Sequence, residues 1–391
     1  MQLKSDLSFI YYNITLTLQI CFPPLHLIIM ATYERPAPAA SNGRVGVRMS
    51  DSGMERIVAE IKTKSSEWYP EHGEPRAARI VGRTPKPDHY NYDLIVEFAH
   101  GSERLAVKIY WAGKSGETGV RRLAAAETEH LNSIWCVAQA KGLAGIPRPL
   151  GDFSAGAAVV TEKLVGIPLQ SIIMKAALLP GYEGLGLLQG AATASGKWLR
   201  SFQRITARPP RPLDGNRLQR EMATVCNNCR GEGLDDASIG KILSGTHAIL
   251  ERARNPLTNA SVLHEFLPLN VVVLERGIGF SDFARMEEDG SIYTDPATFL
   301  ASVEALEKYP FCDHAITTAV QENFLDAYGA SAADREILCV FKMKVLLSMF
   351  AAGRAVKESP VRKKAMWANV MKKFIQMAAD RSMPGSMPGA A

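Results

Sequence analysis

Between its first predicted strands the sequence lacks a glycine-rich G-x-G-x-x-G loop. The stretch found there, Val81-Gly82-Arg83-Thr84-Pro85-Lys86-Pro87, offers one glycine, although backbone N–H groups can still approach an anion. A P-loop is missing too. Gly113-Lys114-Ser115 has no glycine five residues before it, and Gly184-Leu-Gly-Leu-Leu-Gln-Gly190 is misspaced at a predicted helix start. No clean membrane span is present. Residues 7–30 are apolar but broken by Asn13, Thr15, Thr17, Gln19, Pro23-Pro24 and His26, whereas a span needs about 20 predominantly apolar residues and a signal peptide needs a compact apolar run. Of the six cysteines only Cys226-Asn-Asn-Cys229 has metal-like spacing, and it lacks a second pair. Reduced thiols of a cytoplasmic protein are the expectation. No Arg-rich stripe with interleaved aromatics occurs, and the net charge of +5 is mild for 391 residues. That argues against a nucleic-acid partner and suits an anionic small ligand. No repeat at a solenoid period is found.

What is present reads as strands first and helices later. A helix is predicted from Met54 to Trp68, then strands at Ala78–Val81, Tyr92–Phe98 and Leu105–Tyr110, the last two joined by a turn at 99–103. Residues 118–142 form the next helix, with Leu123, Ala126, Leu131, Ile134 and Val137 as its apolar positions. Gly145-Ile-Pro-Arg-Pro149 stops it. Strands follow at Leu150–Phe153 and Ala157–Glu162. Beyond residue 168 helices are expected at 169–178, 185–206, 235–253, 297–307, 311–328, 333–350 and 360–378, interrupted by one β-rich island, Val271–Phe283. The order implies an α+β arrangement in two lobes. The expected boundaries are an extension or misassigned start at 1–49 (Met30 and Met49 are internal starts), an antiparallel-sheet N-lobe at 50–165, a mainly helical C-lobe at 166–378, and a Met-Pro-Gly-Ser tail at 379–391.

Two short segments carry most of the chemistry: Leu263-His264-Glu265-Phe266-Leu267-Pro268-Leu269-Asn270, and Gly279-Phe280-Ser281-Asp282-Phe283-Ala284-Arg285. Upstream lies Leu105-Ala106-Val107-Lys108-Ile109-Tyr110. An acid, an Asn five residues on, a second acid beyond a hydrophobic strand, and a distant strand Lys are the parts a phosphoryl-transfer site needs. Taken singly each has a plainer reading. Lys108 would be an outward strand lysine and Glu127 a solvated helix face. Glu265 and Asn270 would be turn chemistry, Asp282 a cap, and His264 a loop-ordering hydrogen bonder.

Taken together, in this order, they resemble the aminoglycoside phosphotransferase and choline kinase superfamily, protein-kinase-like small-molecule kinases, over about residues 78–350. Lys108 matches the strand lysine. Glu127, in Glu127-Thr-Glu-His-Leu131, matches its helix acid, with Glu129 the fallback. Gly145-Ile-Pro-Arg-Pro and Val159–Gly166 are similar to the strand pair and interlobe hinge. Trp198-Leu-Arg-Ser-Phe202 resembles the first long C-lobe helix, and Asp295-Pro-Ala-Thr-Phe-Leu300 the segment after the metal loop. The resemblance implies a two-lobed protein-kinase-like fold that uses ATP and Mg²⁺. Lys108, Glu127, Thr161, Glu162 and Leu164 would contact the nucleotide, Asn270 and Asp282 would hold the metal, and Glu265 would meet a hydroxyl of a sugar, amino alcohol or aminoglycoside-like acceptor.

One departure shapes the expectation. The family reads His-Gly-Asp-Phe-x-x-x-Asn, but here Leu263, His264 and Glu265 occupy the first three places. The added methylene extends reach by about 1.5 Å, and a misplacement of about 1 Å can cost on the order of 10²-fold in rate. Two readings of the site therefore stand: a small-molecule kinase, or a pseudokinase that binds nucleotide or a partner without turnover; a third, a membrane-anchored regulatory protein, rests only on residues 7–30. For a cationic acceptor, Asp235-Asp236, Glu287-Glu288-Asp289 and Glu304/Glu307 are candidates for an acidic wall, and solvated surface explains them equally well.

Overall fold

The structure, a computed structural model, describes residues 51–86, 88–112, 116–179, 181–253, 256–309, 311–354 and 361–383. The predicted extension 1–49, Gly113-Lys114-Ser115 and residues 384–391 of the predicted tail lie outside the described residues. Along the chain run α1 (Asp51–Trp68), β1 (Pro75–Pro85), β2 (His89–Phe98), β3 (Gly101–Tyr110), α2 (Gly116–Lys141), β4 (Ala158–Glu162), β5 (Ile167–Pro168), α3 (Leu169–Leu178), α4 (Leu185–Ile205) and β6 (Arg208–Pro212). Then come α5 (Gly215–Gly231), α6 (Asp236–Arg252), β7 (Pro256–Val262), β8 (Val271–Val273), β9 (Ile278–Phe280), β10 (Glu287–Ser291), α7 (Thr294–Glu304), α8 (His314–Tyr328), α9 (Ala332–Arg354) and α10 (Val361–Ser382). The fold is α+β, with an antiparallel N-terminal sheet and a mainly helical C-terminal part.

The chain divides into two compact units. One holds Ser41–Leu213 and Arg252–Lys342. The described part of the other is all helical: α5, α6 as far as Glu251, the end of α9, and α10. Within that helical unit the Cys229 thiol donates to the Leu347 carbonyl at 3.3 Å, Lys344 pairs with Glu221, and Lys241 meets Asp380 at 2.5 Å. Among the described residues no helix is long and apolar enough to cross a membrane.

The larger unit is built around a four-stranded antiparallel sheet in the order β1-β2-β3-β4. Side chains alternate between its faces. Leu105, Val107 and Ile109 point one way, joined by Leu94 and Val96, and are buried with Met54, Ile57 and Ile61 of α1. The α1 spacing is that of one helical stripe. The opposite face carries Ala106, Lys108 and Tyr110. On the helical side, α4 and α8 pack so closely that a Cβ on Gly196 would lie 2.3 Å from the Phe324 carbonyl, so only glycine fits there.

Several sequence expectations are corrected. Leu150–Phe153 is not a strand. Gly151 at φ +72° and a 3₁₀ turn at Ser154–Gly156 break it into isolated bridges at Pro149–Thr161 and Phe153–Ala158. The island Val271–Phe283 is not the only late β-structure, because β6, β7 and β10 form a second sheet in the order β10-β7-β6. The Arg-Pro-Pro-Arg-Pro sequence of β6 reads as a loop, and it is tolerated as a strand because it lies at the edge. Helix α5 was not expected from its polar sequence. Asp214 caps it by accepting the Arg217 N–H at 2.8 Å, and Leu218, Met222, Cys226 and Cys229 form its buried stripe. In α2 the buried stripe is Val120, Ala124, Glu127, Leu131, Ile134 and Ala138, while the expected Leu123 is exposed.

Candidate active site

Two periodicities deliver the first pair of charges. Lys108 alternates with Val107 and Ile109 and so lies on the face away from α1. Glu127 falls in the buried stripe of α2, where an acid needs a partner. Lys108 supplies it, with Nζ 3.0 Å from Glu127 Oε1. The Tyr110 hydroxyl donates to Glu127 Oε2 at 2.5 Å. Glu129, the fallback acid, is exposed.

Strand register brings in the second segment. In the β8–β9 ladder Val271 pairs with Phe280 and Val273 with Ile278. Asn270, just before β8, and Asp282, just after β9, therefore emerge at the same end. The hairpin is anchored by Gly145, whose carbonyl accepts the Phe280 N–H at 2.9 Å. Gly145 has φ +87°, and a Cβ there would lie 2.2 Å from the Ile278 carbonyl. Aromatic rings fix the flanks. Phe266 stacks on Trp198 at 5.8 Å and meets Phe280 at 5.6 Å, and Phe280 meets Phe283 edge-on at 5.2 Å. Glu265 and Asp282 are thus each held beside a buried ring. Asp282 Oδ1 lies 3.0 Å from Lys108 Nζ, so one lysine bridges both acids.

The Glu265 loop is held from beneath. Asp295 is fully buried and accepts the Leu263 and His264 N–H groups, both at 2.8 Å. Residue 264, a glycine in the resembling pattern, has φ +59° here. That is left-handed backbone that histidine adopts at a cost glycine avoids. Its ring reaches Glu287 at 3.0 Å. The Asn270 side-chain amide donates to the Glu265 carbonyl at 3.0 Å, closing the loop. Glu265 itself is 4% exposed. Its Oε1 lies 3.6 Å from Arg285 Nε, and its buried Oε2 has no hydrogen-bond partner among the described residues.

These placements set the electrostatics. Burial alone would raise the Asp282 carboxyl, but Lys108, His89 and the Ala284 N–H hold it well below the usual range. Lys108 is likewise opposed by burial yet held well above its usual value by Asp282 and Glu127. Glu265 goes the other way. Burial, reinforced by the charge of Asp282, pushes it up to about 7 against the pull of Arg285 and Lys108. Burial also pushes Asp295 up to about 6.

A cleft joins the predicted nucleotide residues, being lined by Lys108, Glu127, Thr161, Glu162, Leu164 and Ser281 among others. Thr161 pairs with Ala106 across the sheet. The Glu162 carboxylate is taken by Tyr69 at 3.2 Å and Arg148 at 3.4 Å, and its N–H donates to the Arg148 carbonyl at 2.9 Å. Sequence reasoning missed the charged groups that close the site: Lys86, Asp88, His89 and the role of Arg285. The signal available was Arg285 itself, three residues after Asp282. The residues of the candidate acidic wall each have partners of their own, Asp236 with Arg230. Glu287 is taken by His264, Glu288 by Arg208, Asp289 by Arg211 and Glu304 by Lys342. Glu307 meets His314, and Asp235 caps α6 in the helical unit. Among the described residues no three His, Cys, Asp or Glu side chains gather to hold a metal ion, Cys226 and Cys229 included.

No protein-family model and no curated relative matches the chain. Among solved structures it is similar to small-molecule kinases. Spectinomycin phosphotransferase in complex with ADP and spectinomycin is 10% identical with a TM-score of 0.47, over 84% of this chain and 98% of that one. The choline kinase of Streptococcus pneumoniae is 13% identical with a TM-score of 0.45, over 83% of this chain and 99% of that one. An aminoglycoside phosphotransferase of Alicyclobacillus acidocaldarius is 12% identical with a TM-score of 0.45, over 78% and 92%. Each TM-score lies below 0.5, so the likeness carries no inference about activity.

Proposed function

We propose that this protein is an ATP- and Mg²⁺-dependent phosphotransferase that moves the γ-phosphoryl group to a hydroxyl of a small molecule. The observation that carries the reading is the Lys108 bridge, one ammonium 3.0 Å from both Glu127 and Asp282 at the edge of a cleft. Phosphoryl transfer is positioning plus charge neutralisation. A lysine fixed by a helix acid and facing a carboxylate is suited to that task. Thr161, Glu162 and Leu164 would meet the base, and Lys108 the phosphates. The donor set fits Mg²⁺, which takes one or two protein oxygens and fills its shell from phosphates and water. Asp282 stays ionised, and the Asn270 nitrogen is committed to the Glu265 carbonyl, which leaves the amide oxygen as the donor. Bound there, Mg²⁺ would neutralise phosphate charge. Glu265 would accept the proton of the acceptor hydroxyl, and a carboxyl near 7 is matched to a base at neutral pH.

A second reading, a nucleotide-binding pseudokinase, is favoured by one observation. Glu265 is buried and faces Arg285 at 3.6 Å rather than open space. The test is ADP release from Mg²⁺·ATP by the full chain across sugars, amino alcohols and aminoglycosides, with Asp282→Ala as control. Acceptor-dependent release that Asp282→Ala abolishes supports the kinase. Nucleotide binding without release on any acceptor class supports the pseudokinase.

A further inference from the structure

The β1–β2 hairpin lacks the glycines that let backbone amides wrap a phosphate, and its register places something else there. Antiparallel pairing aligns Thr84 with Asn91 and Asn91 with Lys108. One row further along, the Lys86 N–H donates to the His89 carbonyl at 2.8 Å, and His89 pairs with Tyr110. Because side chains alternate between faces, Lys86 shares a face with Thr84, Asn91, Lys108 and Tyr110. That is the face away from the α1 core, the one that lines the cleft. The basic residue of β1 nearest to Lys86 lies opposite: the Arg83 guanidinium sits 4.1 Å over the Tyr90 ring and 5.6 Å from that of Tyr92.

At the hairpin tip Asp88 and His89 are held in place. His89 is buried, bonds Asp88 at 2.7 Å and packs on Tyr110 at 5.7 Å, and the Trp111 N–H donates to the Asp88 carbonyl. Lys86 is half-buried on this tip, and its ammonium makes no hydrogen bond or ion pair among the described residues. Burial lowers its pKa, and Asp282 and Lys108 are its strongest charged neighbours. A desolvated cation beside a second cation, with neither a bond nor an ion pair among the described residues to the nearby Asp282, Asp88 and Glu265, is a place for an anion.

We infer that Lys86 is a phosphate-binding residue, its ammonium and that of Lys108 gripping the terminal phosphates of a nucleoside triphosphate from two strands in place of a glycine-rich loop. The inference rests on the nucleotide reading of the cleft and adds to it a side-chain grip that the sequence motif does not contain. A charge-assisted contact of this kind is lost as roughly a ten-fold drop in affinity.

The test is calorimetric binding of Mg²⁺·ATP, Mg²⁺·ADP and adenosine to the full chain, wild type against Lys86→Ala and Lys86→Arg. The expected result is about ten-fold weaker ATP binding by Lys86→Ala, a smaller loss for ADP, unchanged adenosine affinity, and recovery of most of the loss in Lys86→Arg. Unchanged adenosine binding also certifies that the variant is folded. Equal ATP affinity in wild type and Lys86→Ala, or an equal loss for adenosine, overturns the assignment of Lys86. Wild-type protein that binds neither ATP nor adenosine overturns the nucleotide reading itself, which is a separate failure.

Discussion

At the Lys108 corner every buried charge has an opposite neighbour: Glu127 and Asp282 each lie 3.0 Å from one ammonium, and Tyr110 bonds the remaining Glu127 oxygen. At the Glu265 loop the balance is incomplete. One carboxylate oxygen faces Arg285 at 3.6 Å, the other has no partner among the described residues, and Asp282 adds a like charge. The corner holds Asp282 ionised, whereas the loop pushes Glu265 toward neutrality. Compensated charge keeps a buried acid ionised, and uncompensated charge raises a buried carboxyl toward neutral pH.

Removing the shared cation breaks this comparison most directly. Lys108→Ala strands two buried carboxylates and is expected to lose about 3–5 kcal/mol of stability, together with any turnover; urea unfolding at pH 7 measures it. A loss under about 1 kcal/mol would mean that the corner is solvated rather than closed. Next is Asp295→Ala, which orphans the Leu263 and His264 N–H groups. About 2–4 kcal/mol should be lost, with Asp295→Asn closer to wild type because it keeps one acceptor oxygen.

Glu265→Gln should act in the opposite sense. The folded pKa lies near 7, above the ordinary 4.5, so the folded state binds the proton more tightly and stability falls as pH rises from about 4.5 to 7. At pH 8 the neutral amide avoids that penalty, so stability should rise on the order of 2 kcal/mol while turnover is lost. If urea midpoints at pH 8 fall instead, the loop is not under-compensated. In the wild type the same displacement predicts turnover that climbs as pH passes about 7, and a rate profile flat from pH 6 to 8 would remove Glu265 as the base. The smallest effect belongs to His264→Gly. Relief of left-handed strain and loss of the Glu287 contact nearly offset, leaving a change within about 1 kcal/mol.

The spacing of acid, asparagine and second acid was readable because each is set by local structure: a loop, a short strand, a turn and a strand. Lys108 and Ala106 could be assigned to one face by alternation alone. Glu127 could be named only by resemblance, since its helix read locally as amphipathic about a different stripe, with Leu123 inward. The β10-β7-β6 sheet was hidden because Arg208-Pro-Pro-Arg-Pro212 has loop composition, and α5 because its buried residues are spread among charged ones.

By itself, the sequence determined the periodicities that put Lys108 away from the apolar face, the loop that separates Glu265 from Asn270, and the absence of a glycine-rich phosphate loop. Tertiary structure decided what those residues meet. Lys108 and Asp282 are separated by 174 positions. Their contact depends on the β8–β9 hairpin, which is local, and on the Gly145 anchor and the packing of Trp198 on Phe266 and Phe280, which are not. The pKa of Glu265, the support of its loop by Asp295, and the presentation of Lys86 toward Lys108 follow from burial and from cross-strand pairing. Both are properties of packing between distant segments, and no single segment encodes them.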